Sequence, residues 1–147
     1  MTLKVFEAFS GIGAQRKALA NLGIDHEVVA ISEIDKFAIK SYTAIYGETL
    51  NLGDISTVDP ESIPDHDLFT YSFPCQDISV AGKQAGLDKD GGTRSSLLWE
   101  YQNVIAVKKP KYLLLENVKN LVGKRHKANF DRWLDWLVEQ GYSNYWQ

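Results

Sequence analysis

The sequence predicts an α/β protein built on a doubly wound, mostly parallel sheet with helices on both faces. Two observations carry the prediction. Short apolar runs of strand length alternate with segments of helical periodicity from one end of the chain to the other. Most of those runs are followed by a glycine-bearing or polar stretch, as strands that deliver the chain to a crossover are. At 147 residues the chain fits one domain with a single sizeable core. It carries no internal repeat and no linker, so residues 1–147 read as a single domain.

The elements follow in order. Residues 4–9 form a short apolar strand, punctuated by Gly11 and Gly13. Residues 15–22 read as a helix closed by Gly23. Residues 27–31, rich in Val and Ile, form the second strand. Asp35 then starts a helix with Phe37, Ala38, Tyr42, Ile45 and Tyr46 apolar at helical spacing, and Gly47 ends it. Residues 52–55 suggest a brief third strand, and 68–72 a buried fourth. Residues 76–93, with Gly82, Gly86, Gly91 and Gly92, form a long connection of the kind that carries function. Residues 95–107 read as a helix capped by Ser95 or Ser96, and 111–115 as a nearly all-apolar fifth strand. Residues 130–140, with Trp133, Leu134, Trp136 and Leu137, form a helix stopped by Gly141. A sixth strand begins at 142–146.

Composition narrows the function classes. One cysteine excludes an internal disulfide framework and suits a reducing, cytoplasmic setting. No run approaches a membrane span, and no secretory leader opens the sequence. The net charge of −3 is not that of a general nucleic-acid binder, but it is unevenly placed. Residues 1–70 hold 5 Lys/Arg against 11 Asp/Glu, while residues 71–147 hold 11 against 8. Lys119, Lys124, Arg125 and Lys127 form a stretch without an acid, which suits either a phosphate backbone or a solvated loop.

Two constellations bear chemistry. The first is Phe9-Ser10-Gly11-Ile12-Gly13, between a strand and a helix, where glycines let a ligand approach the backbone and a helix N-terminus faces it. Position 16 is Arg, so the full dinucleotide pattern is not met. Glu33 follows Gly13 by 20 residues at the end of the second strand, where a carboxylate binds ribose hydroxyls. Asp54 is placed to accept from an adenine amino group. The competing reading makes these acids helix caps, and for Asp35 that reading is adopted. The second constellation is Cys75, in Pro74-Cys75-Gln76, with Glu116-Asn117-Val118. A thiolate and a nearby carboxyl group at strand ends suit attack on an electron-poor ring, with the acid serving a ring nitrogen. The alternatives are a buried structural cysteine and a strand-end acid bonding a loop amide.

Taken together, in this order and spacing, Phe9 to Gly13, Glu33, Asp54-Ile55, Pro74-Cys75-Gln76 and Glu116-Asn117-Val118 resemble the DNA cytosine-5 methyltransferases over essentially the whole chain. The resemblance implies a Rossmann-like fold and S-adenosyl-L-methionine as cofactor. It implies that Phe9, Gly11 and Gly13 hold the cofactor, that Glu33 binds its ribose, and that Ile34 packs on adenine. Asp54 and Ile55 would recognise adenine, Pro74 would line the pocket between cofactor and base, and Leu97 would contact the cofactor. Cys75 would be the nucleophile at C6 of a flipped-out cytosine in DNA, and Glu116 the acid at N3. Residues 76–93 would close over the DNA. No metal is implied.

The same resemblance leads one to expect a Gln-x-Arg-x-Arg segment, a target-recognition region and a C-terminal helix, none of which occurs in these 147 residues. The expectation is therefore the N-terminal portion of a split or truncated methyltransferase, its sheet stopping as the sixth strand begins. A second polypeptide would complete it, or a homodimer formed through residues beyond about 125. The alternative is an inactive methyltransferase-like module that binds cofactor, nucleic acid or a protein. A self-sufficient methyltransferase fits least, since nothing here would read a DNA sequence.

Overall fold

A computed structural model describes residues 1–72 and 94–146, the side chains of 94–96 excepted. The chain divides into two compact units: Met1–Ser72 with Glu100–Glu116, and Phe73–Trp99 with Asn117–Gln147.

The first unit holds a four-stranded parallel sheet. Its strands are β1 (Leu3–Ala8), β2 (His26–Ser32), β3 (Leu68–Tyr71) and β4 (Tyr112–Leu115), in the order β2-β1-β3-β4. The chain passes from β1 to β2 on one side and returns to place β3 on the other. The strand order therefore reverses between β1 and β3, whose last residues, Ala8 and Tyr71, stand in register. That reversal opens a crevice at the carboxyl ends of the strands, the usual ligand position of such sheets.

Alternation along each strand separates two apolar layers. On one face Val5, Val28, Ile31 and Leu68 pack with Tyr42, joined by Leu19 and Tyr46. Those residues belong to α1 (Ala14–Asn21) and α2 (Lys36–Tyr46), so both helices cover this face. On the other face Phe6 stacks on Phe69 at 5.1 Å, and Tyr101 of α3 (Tyr101–Lys108) meets Phe69 and Tyr71 edge-on. Helices on both faces are what the alternation of elements predicted.

Local chemistry sets the helix limits. Asp35 caps α2, its Oδ1 accepting from the Phe37 and Ala38 amides at 2.9 and 2.7 Å, and Gly47 ends the helix at φ +82°. Of the five apolar residues of α2 read as its inner face, only Tyr42 is buried; Phe37 is 81% exposed and Ile45 58%.

Three expected elements differ. The third strand reduces to one parallel bridge, Ile31 to Asn51, followed by a 3-10 turn at Ile55–Thr57. Gly53, at φ +77°, turns the chain out of the sheet there. The helix expected over 95–107 is a 3-10 segment, Arg94–Glu100, that becomes α-helical only at Tyr101; the expected serine caps lie outside the described side chains. Residues 142–146 form no strand, so four strands stand in the sheet rather than six.

In the second unit α4 (Lys127–Glu139) buries Phe130, Trp133 and Leu137 at helical spacing. Trp133 stacks on Trp136 at 5.3 Å and meets Trp99 edge-on at 5.8 Å, while Phe130 meets Trp146 at 6.0 Å. Asn144 holds the Leu134 carbonyl at 3.0 Å, folding the tail back on the helix. No helix among the described residues is long and apolar enough to cross a membrane.

Candidate functional site

The turn after β1 is built on left-handed backbone at alternate positions: Phe9 at φ +52°, Gly11 at +54° and Gly13 at +83°. For an aromatic residue this conformation is strained, and strain of this kind concentrates at ligand sites. The two glycines serve different ends. A Cβ on Gly11 would meet nothing within 4 Å, so its outer side faces open space. A Cβ on Gly13 would lie 2.4 Å from Tyr46 Cε2 and 2.9 Å from Tyr42 Cε2. Gly13 is small because α2 leans on it.

Glu33 follows β2 and is 9% exposed. Its Oε2 accepts from the Gly11 amide at 2.8 Å, and its Oε1 from the Ile34 and Asp35 amides, both at 2.9 Å. A carboxylate offers about four acceptor positions, so three amides leave one for a ligand. The turn and the acid are thus one unit, joined across the carboxyl ends of β1 and β2. Ile34 beside it is 64% exposed, and Phe9 is half-buried.

Asp54 caps the 3-10 turn through Oδ1, which accepts from the Ser56 amide at 2.9 Å and the Ser56 hydroxyl at 2.8 Å. The capping alternative therefore holds for this exposed side chain. Ile55, next to it, is buried. The segment is brought beside Glu33 by Asn51, whose side chain bonds the Glu33 amide at 3.2 Å and the Glu33 carbonyl at 3.0 Å. Ser32 completes the link by donating to the Gly53 carbonyl at 2.6 Å.

Glu116 is the first residue beyond β4; its amide donates to the Tyr71 carbonyl at 3.3 Å and its side chain is exposed. Cys75 and Pro74, with the connection 76–93, lie outside the described residues, so the pairing of Cys75 with Glu116 has no geometry here. Leu97 is half-buried on the 3-10 segment of the second unit. In that unit Lys119, Lys124 and Arg125 are exposed, while Lys127 pairs with Asp131 and lies over the Trp146 ring at 5.7 Å. Among the described residues no group of His, Cys, Asp and Glu could hold a metal ion.

Sequence reasoning missed four contributors. Ser10 is 3% exposed, and its hydroxyl has no hydrogen-bond partner among the described residues, inside the turn itself. Asn51 clamps the Glu33 backbone. The buried Tyr101 hydroxyl donates to the Ser72 carbonyl, holding the chain where it leaves β3. Burial raises the Tyr101 phenol well above its ordinary range, helped by Tyr71 and the negative charge of Glu33, so it stays a donor. The fourth is Glu7, fully buried in the middle of β1. Burial pushes its carboxyl up, opposed by the Tyr42 hydroxyl and by Arg16. A single acid inside an otherwise apolar strand was the available signal.

Comparisons with known proteins bear on the family and the fold. A profile of the family described as C-5 cytosine-specific DNA methylase matches residues 3–147. The type II methyltransferase M2.ScrFI of Lactococcus lactis subsp. cremoris is 45% identical over an alignment that covers 98% of this chain and 55% of that protein. The orphan methyltransferase M.Rho11sI of Bacillus phage rho11s is 42% identical, covering 95% of this chain and 28% of that one. The Dnmt2 methyltransferase of S. pombe superposes with a TM-score of 0.70 at 26% identity, covering 92% of this chain and 40% of that one. The chain spans about half, or less, of the length of the relatives it matches.

Proposed function

The chain belongs to the C-5 cytosine-specific DNA methylase family, and from that kinship we propose that it carries the cofactor-binding and cytosine-attacking part of an enzyme that methylates C5 of cytosine in DNA. The observation that carries the reading is the Gly11–Glu33 hydrogen bond, which joins the carboxyl ends of β1 and β2 beside open space, next to the strand-order reversal between β1 and β3. S-Adenosylmethionine, when bound, supplies an electrophilic methyl group.

The residues suit that ligand in parts. The free acceptor position of Glu33 takes a ribose hydroxyl. Ile34 and Ile55 offer apolar surface to adenine, and Asp54 an acceptor for its amino group. The turn at Phe9, Gly11 and Gly13, with the Ser10 hydroxyl and the N-terminus of α1, suits the amino-acid end, whose carboxylate is favoured there. Pro74 and Leu97 complete the pocket in this proposal.

Cys75 adds to C6 of a cytosine swung out of the duplex, since C6 is unreachable within the stack. Glu116 holds a proton at N3, which makes the ring accept the thiolate; the new C6–S bond pushes an electron pair to C5, which becomes nucleophilic enough to take the methyl group. Loss of the C5 proton later returns electrons to the ring and expels the Cys75 thiolate. Kinship with methyltransferases favours this reading over an inactive binding module. In this proposal the 147 residues alone have little methyltransferase activity and gain it from a second polypeptide or a homodimer partner.

Calorimetry tests the pocket. The chain should bind S-adenosylmethionine or its demethylated product weakly, and Glu33→Ala should reduce that affinity. Equal binding by the two proteins would refute the assigned pocket.

A further inference from the structure

Glu7 is an anomaly that the proposed chemistry leaves unused. It stands in a strand covered on both faces, where burying a carboxylate is costly unless every oxygen is partnered. Both are. Oε1 accepts from the Arg16 amide, in the first turn of α1, at 3.1 Å. Oε2 accepts from the Tyr42 hydroxyl of α2 at 2.6 Å. The same Tyr42 oxygen accepts from Arg16 Nη1 at 3.1 Å, and Arg16 also reaches the Thr49 hydroxyl at 3.4 Å. The Arg16 guanidinium lies 4.5 Å from the centre of the Tyr46 ring. Tyr46 in turn donates its hydroxyl to the Gly13 carbonyl at 2.8 Å.

These bonds close a circuit from β1 through α1 and α2 back to the turn. Stability alone does not call for it, because an apolar set of similar volume is often as stable as a buried charged one. What the circuit does is over-determine a backbone that holds three residues at positive φ between positions 9 and 13. Arg16, standing where a dinucleotide pattern would have a small residue, supplies the hub. We infer that Glu7, Arg16 and Tyr42 are positioning residues that pre-form the Ser10–Gly13 turn for the amino-acid end of the ligand. The inference rests on the cofactor reading above. The adenosine end depends on this circuit only through the Gly11 amide, because Glu33 is also held by Asn51 and by the Ile34 and Asp35 amides.

That division is the test. Glu7→Gln, Tyr42→Phe and Tyr46→Phe are compared with the unaltered chain by calorimetry, using S-adenosylhomocysteine and adenosine as separate ligands, well below each protein's unfolding temperature. Losing one such hydrogen bond should weaken S-adenosylhomocysteine about five- to tenfold while adenosine stays within about twofold. Tyr46→Phe disturbs the turn without touching the buried acid, so it reads the effect even if Glu7→Gln folds poorly. Equal loss of both ligands, or no loss of either, would show a purely structural circuit and leave the pocket standing. Adenosine binding as tightly as S-adenosylhomocysteine in the unaltered chain would overturn the inference alone. Binding of neither would overturn the pocket with it.

Discussion

Replacing each glycine of the turn by alanine separates its two roles. Gly13→Ala places a residue with a Cβ at φ +83°, which costs about 1–2 kcal/mol. The new methyl also lands 2.4 Å from Tyr46 Cε2 and 2.9 Å from Tyr42 Cε2. Tyr46 is half-buried and can shift. Tyr42 is 1% exposed and tied to Glu7 at 2.6 Å, so it cannot yield without breaking that bond. Overpacking of this kind costs about 1–3 kcal/mol, and the two effects together come to about 2–5 kcal/mol. Gly11→Ala pays only the backbone cost of about 1–2 kcal/mol, because nothing lies within 4 Å of its Cβ. Its methyl instead enters the open space beside Glu33. Urea unfolding at fixed pH measures the difference, and with a slope of about 1–3 kcal/mol per molar the midpoint of Gly13→Ala should fall by about 1 M or more. Cofactor affinity should fall in Gly11→Ala, although that variant is the more stable of the two. Equal midpoints, or a Gly11→Ala protein that is less stable than Gly13→Ala, would refute the packing argument.

Three further expectations can be checked. Burial lowers the His66 pKa from 6.5, partly opposed by its bond to the Pro64 carbonyl, with Lys108, Asp65 and Asp67 nearby. The unfolded chain therefore binds this proton more readily, so the contribution of His66 is full above about pH 6.5 and is lost as pH falls through the folded value. His66→Phe keeps the aromatic contacts with Phe6 and Phe69, and should flatten a plot of unfolding free energy against pH below neutrality. Asp35→Ala removes the α2 cap and should cost about 1 kcal/mol in a denaturant titration; an unchanged midpoint would contradict the capping geometry. In the complete enzyme Cys75→Ser should abolish incorporation of labelled methyl groups into DNA while cofactor affinity persists, and residual turnover near the unaltered rate would remove Cys75 from its role.

The sequence alone determined what depends on local pattern. Asp35 and Gly47 bound α2 because capping and left-handed termination are properties of a few neighbouring residues. Apolar runs of strand length marked β1, β2, β3 and β4, although β4, at the sheet edge, leaves Tyr112 and Leu114 about half exposed. Glu33 was legible from its spacing after Gly13, while its bond to the Gly11 amide was not. Only the tertiary structure decided what those residues touch. Residues 52–55 and 142–146 look like strands, yet a strand is made by its ladder, and among the described residues the first segment contributes only the Leu52 amide, on the Ile31 carbonyl beside the Ile31–Asn51 bridge. The apolar spacing of α2 did not say that Phe37 would stay exposed while Tyr42 and Tyr46 closed on Gly13. The roles of Glu7, Arg16 and Asn51 arise from hydrogen bonds spanning 9 to 35 positions, set by the crossing of the chain over the sheet. Side-chain identity supplies the donors and acceptors, but the topology decides which of them meet.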